Sequence, residues 1–66
     1  MKANRKAIDL AMARTCMSIS DIANKAEMPE MTVKNVITGR SVRPYTLGKV
    51  ARALGVDPLE IMEKEE

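Results

Sequence analysis

An all-α fold of five short helices, the second and third forming a helix-turn-helix, is what this sequence of 66 residues predicts. Three observations lead there. Apolar residues recur at i, i+3, i+4 and i+7 in successive stretches, and no segment alternates convincingly as a strand. Each stretch is bounded by cap, proline or glycine signals. Two of the stretches are separated by only about three residues, the spacing that lets consecutive helices cross.

The first helix is expected over Arg5 to Thr15, capped by Asn4, with Ile8, Ala11, Met12 and Thr15 as its inner stripe. Cys16 then fills space at its end. Ser18 opens the second helix, and Asp21 three residues later resembles a capping box with Asp in place of Glu. Ile19, Ile22, Ala23 and Ala26 form its apolar stripe, and it ends near Glu27. Met28-Pro29 restarts the chain, because proline suits a first helical turn where no amide donor is needed. Glu30 complements the positive end of the third helix, which runs to Thr38 before Gly39 supplies a left-handed stop. Arg40-Ser41-Val42-Arg43 is a basic loop. Pro44 starts a fourth helix with Leu47, Val50, Ala51 and Leu54 inside, and Gly55 ends it. Asp57-Pro58-Leu59-Glu60 then combines cap, proline and acid, opening a fifth helix that carries Leu59, Ile61 and Met62. No internal repeat, linker or low-complexity tract interrupts the chain. We therefore expect one domain over 1–66, with its core in 4–62 and an acidic tail, 63–66, that frays.

A chain this short buries roughly 60% of the surface its unfolded form exposes, so its stability is marginal. Cys16 is the only cysteine and there is no histidine, so neither a disulfide nor a metal site can supplement the core. Tyr45 is the one aromatic residue, which leaves an aliphatic, methionine-rich core and no platform for stacking single-stranded bases. No apolar run approaches the ~20 residues of a membrane span. No apolar segment follows Lys2, Arg5 and Lys6, so the start does not read as a signal peptide, and a cytoplasmic location is expected. An enzyme is not expected, and neither is a cofactor. There is no glycine-rich phosphate loop, and the volume is small for a pocket of about 300 Å³ or more.

The net charge of +2 hides an asymmetry. Residues 1–56 hold ten Lys or Arg against four Asp or Glu, a net +6, while residues 57–66 hold one against five, a net −4. No acid occurs between Met31 and Val56, where Lys34, Arg40, Arg43, Lys49 and Arg52 all lie. On charge alone this is a solvated mixed surface. It gains meaning from the third helix, where Met31, Lys34, Asn35 and Thr38 share one side while Val33, Val36 and Ile37 fall on the other. A small helix with a readable polar face in a purely cationic segment suits the major groove of DNA.

The spacing Ile19, Ala23, Glu27, Val33 and Val36 resembles the helix-turn-helix of the phage repressor and Cro-like family, often called XRE. Ala23 is small where the two helices would cross. The likeness extends through Thr46-Leu47, Lys49 to Val56 and Leu59 to Met62, and covers roughly residues 4–62. It implies a compact repressor-like domain. Three positions depart from the family pattern. Glu27 stands where glycine is usual and would be strained by roughly 1–2 kcal/mol in a left-handed turn. Ile19 replaces a glutamine that often holds phosphate, and Ile37 replaces a common glutamate.

The resemblance places the third helix in the major groove, with Pro29, Glu30, Met31, Thr32, Lys34 and Asn35 near base edges. Asn35 suits adenine, Lys34 guanine or a phosphate, Met31 a thymine methyl or burial against the protein, and Glu30 cytosine or merely the helix dipole, each good pair discriminating by ~1–3 kcal/mol. Thr38, Arg40, Ser41 and Arg43, with backbone amides of the loop, are expected on phosphate. Ser18 caps the second helix and would lie close to phosphate as well. Lys2, Arg5 and Lys6 add to the positive field or reach DNA as a loose arm, and Lys49 and Arg52 are solvated. The implied function is a sequence-specific regulator of transcription, a repressor binding double-stranded DNA as a homodimer through Val56, Leu59 and Met62. The alternative is an antitoxin or adaptor on the same fold, with a protein as its main partner.

Overall fold

The computed structural model describes residues 1–63. Five helices follow in order: α1 (Arg5–Thr15), α2 (Ile19–Ala26), α3 (Glu30–Ile37), α4 (Pro44–Leu54) and α5 (Pro58–Ile61). Their boundaries arise from local chemistry. Asn4 caps α1 by accepting from the Ala7 amide at 3.1 Å. Ser18 and Asp21 form the reciprocal capping box of α2, and Asp57 and Glu60 form that of α5. Each box satisfies amides that the helix itself leaves without partners. Gly55 closes α4 at φ 74°. Gly39, at φ 82°, turns the chain after α3. The other two stops use residues with a side chain. Cys16 sits at φ 54° and Glu27 at φ 56°, both left-handed.

The stripes meet in one core. Ile8, Ile22, Val33, Val36, Leu47, Val50 and Ile61 are each at most 1% exposed. Each such side chain stabilises the fold by about 1.5–3 kcal/mol relative to an exposed position. Ala23 is buried on α2, which packs on both α3 and α4. α4 packs against α2, α3 and α5, so it is the strut on which the helix-turn-helix rests. Among the described residues no polar side chain is buried. The core therefore carries no internal hydrogen-bond network, and its specificity comes from shape.

Several expectations need correction. Thr15 is exposed rather than inward, because it lies at a helix end where the facing layer runs out. Thr15 instead returns its hydroxyl to the Ala11 carbonyl at 2.9 Å. Cys16 is exposed and serves as a left-handed cap, not a filler. Pro29 is the N-cap of α3, one residue before its first turn. Of the methionines, Met12, Met17, Met28 and Met62 pad the edge of the core, while Met1 and Met31 are exposed. Ala53 joins the core from α4 although the stripe omitted it.

The largest difference lies at the start of the chain. Residues 1–4 are not a loose arm. Ala3 is 3% exposed and pairs with Met62 as an isolated antiparallel bridge. The Asn4 amide donates to the Ile61 carbonyl at 2.6 Å, and the Glu63 amide donates to the Lys2 carbonyl at 2.9 Å. On the other edge, the Val42 amide donates to the Met1 carbonyl at 2.6 Å. Of the expected tail 63–66, Glu63 is thus held by Lys2, and residues 64–66 lie outside the described residues.

Candidate nucleic-acid interface

Packing fixes which side of α3 faces out. Val33 and Val36 are both 0% exposed and anchor the helix to the core, with Ile37 half-buried beside them. A hundred degrees per residue then carries the neighbouring positions to the far side. Met31 is 66% exposed, and Glu30, Lys34 and Thr38 are exposed as well. Asn35 and Thr32 are half-buried. The structure thus brings Met31, Lys34, Asn35 and Thr38 onto one accessible side. An isolated thioether, an ammonium and a carboxamide there offer an apolar contact, a cation and a paired donor and acceptor.

Helix α3 starts without a side-chain cap, since Pro29 has no side-chain donor or acceptor. The Pro29 carbonyl accepts from the Thr32 and Val33 amides at 3.1 and 3.3 Å. Glu30 is the one acid in the first turn and sits at the positive end of the dipole.

After α3 the chain enters the cationic loop. Arg40, Ser41 and Arg43 are all exposed. The backbone amides expected to assist them are largely committed elsewhere. Gly39 donates to Val36, Arg40 to Asn35 and Val42 to Met1. The hydroxyl of Thr38 donates to the Lys34 carbonyl at 2.8 Å, which engages its proton inside the helix. Ser41 Oγ accepts from the Met1 nitrogen at 3.5 Å. The groups of this region best placed to receive an anion are therefore the two exposed guanidinium groups.

A further donor group follows directly. α4 also begins without a side-chain cap, and Pro44 occupies its first position. Its Tyr45 and Thr46 amides, in the first turn, have no helix carbonyl in reach by the geometry of a helix start. An uncapped helix start directly after Arg43 is well suited to an anion such as a phosphate. The sequence signal was available in Arg43-Pro44, where no Ser, Thr, Asp or Asn stands at the cap position.

Ser18 lies at the start of α2. Its hydroxyl oxygen accepts from the Asp21 amide at 3.1 Å, and its own amide donates to Asp21 Oδ2 at 2.9 Å. The Ser18 amide and then its hydroxyl hold the Asp21 carboxyl below its usual value of 3.8. Lys49, expected to be simply solvated, is half-buried with Nζ 5.4 Å above the centre of the exposed Tyr45 ring. No helix of the described residues is long and apolar enough to cross a membrane.

Residues 7–66 match the model of a family described as Cro/C1-type HTH DNA-binding domain. No curated protein and no solved structure matches the chain.

Proposed function

The chain belongs to the Cro/C1-type HTH DNA-binding domains, and we propose that it is a sequence-specific regulator of transcription, a repressor that reads duplex DNA with α3. The observation that carries this reading is the division of α3, with Val33 and Val36 sealed inside and Lys34 presented outward, within a span free of acids from Met31 to Val56. Asn35 reads adenine through its carboxamide, and Lys34 reads guanine or a neighbouring phosphate. Met31 packs on a thymine methyl. Glu30 and Thr32 flank the read bases, with Pro29 fixing where the helix enters. Arg40, Arg43 and the start of α4 grip the backbone, with Ser41 and Thr38 at the margin and Ser18 on the flanking phosphate.

Repression follows from occupancy, since a bound domain covers a promoter without needing any catalytic step. Two copies bind half-sites about one helical turn apart, ~34 Å. The exposed Leu59 and the half-buried Val56 and Met62 supply apolar surface for their contact.

Gel-shift titration on duplex DNA at increasing salt tests the reading. With several cations on phosphate, the plot of log affinity against log salt has a steep negative slope, about 0.9 per phosphate neutralised. A slope near zero would contradict duplex binding.

A further inference from the structure

Residues 1–4 run through the molecule as an extended segment with two working edges. Alternate backbone groups of such a segment point to opposite sides. Met1 and Ala3 address the loop after α3. Met1 and Val42 exchange both hydrogen bonds, 2.6 Å from the Val42 amide and 3.0 Å from the Met1 nitrogen. The Ala3 carbonyl lies 4.0 Å from where a Cβ on Gly39 would stand. Lys2 and Asn4 address the end of α5 through Glu63 and Ile61. Between them Ala3 is buried in the core. Three stretches far apart in sequence are thereby bonded side by side, with 1–4 in the middle.

Gly39–Val42 carries Arg40 and Ser41, and it has little else to hold it. Its first two amides bond back to α3, and Arg40 and Ser41 are exposed. Val42 is the one half-buried anchor between them and α4. We propose that residues 1–4, with Ala3 as their pivot, are positioning residues for DNA binding. They hold the 39–42 loop in the shape that delivers Arg40 to phosphate. The inference rests on the proposed reading of Arg40 as a backbone contact. Freed from Met1, the loop must be ordered each time DNA binds, and the cost of fixing even one residue corresponds to roughly tenfold in affinity.

The test is a double-mutant cycle read by DNA affinity and its salt slope. One change removes Lys2 and Ala3, joining Met1 to Asn4, with Lys2→Ala as the control for charge. The other is Arg40→Ala. In the full chain, Arg40→Ala flattens the salt slope by about one unit. After the deletion, affinity falls roughly tenfold beyond the Lys2→Ala control, and Arg40→Ala costs less than before by about threefold or more. Lys34→Ala, made on α3 away from the loop, costs the same in both backgrounds. Additive behaviour of Arg40→Ala and the deletion would overturn the positioning role. An Arg40→Ala variant that binds as well as the full chain would instead overturn the phosphate reading itself. Hydrogen exchange on the unaltered protein keeps the proposal open to refutation if the deletion does not fold. The Val42 amide is protected at a level comparable to the Asn4 amide, and rapid exchange at Val42 alone would contradict the clasp.

Discussion

Replacing Glu27 by glycine is expected to stabilise this protein. Glu27 closes α2 at φ 56° and ψ 50°, a left-handed conformation that costs a residue with a Cβ about 1–2 kcal/mol. Its side chain is exposed, and the bonds it makes there come from its backbone amide, to Ala23 and Asn24. Glycine keeps those bonds and relieves the strain. Against this stands the greater freedom of glycine in the unfolded chain, about 0.4–1 kcal/mol. The balance is a gain of about 0.5–1 kcal/mol. For a domain of this size that raises Tm by about 2–8 °C, measurable by circular dichroism on heating. Glu27→Gln separates strain from charge, because it keeps the Cβ and removes the carboxylate. It should leave Tm nearly unchanged while improving DNA affinity at low salt, where removing an anion from the turn before α3 matters most. A Tm for Glu27→Gly at or below that of the parent would refute the strain argument.

Two further outcomes follow from the same geometry. Ile22→Ala removes a side chain that is 0% exposed and leaves a cavity costing about 2–5 kcal/mol, a large share of what so small a domain possesses, so urea denaturation should show a chain mostly unfolded near 37 °C. The folded Asp21 carboxyl titrates below 3.8, so its stabilising effect is complete above that value and is lost as pH falls through the lowered one. Asp21→Asn should therefore remove part of the loss of Tm between pH 5 and the acid range, about pH 2, and an acid profile identical to the parent's would contradict the capping-box account.

The features legible in the sequence were those set by neighbours a few residues apart. Asn4, Ser18, Asp57 and Gly55 act within one helical turn, so the caps and helix limits could be read directly. The outward face of α3 followed from its period, because Val33 and Val36 had to turn inward together. Errors gathered where a period is extrapolated past its support. Thr15 obeys the stripe but meets no facing layer at the helix end. The hydroxyl of Thr38 shows another limit: a residue type announces what it can donate, not that a carbonyl one turn back has taken the proton. Nothing in Met1-Lys2-Ala3-Asn4 announced the pairing with residues 42 and 61–63. That contact is between backbones distant in sequence, and backbone groups are the same in every residue. It changed the account of the site, because it consumes the Val42 amide that the loop was expected to offer to phosphate.

The central claim is that the exposed side of α3 reads base pairs, and selection of bound fragments from random duplex DNA tests it most directly. A palindromic consensus is expected for the parent protein, and for Asn35→Ala the loss of preference at one base pair in each half-site with the remainder intact. Enrichment of no consensus at all, or an Asn35→Ala consensus identical to the parent's, would contradict it.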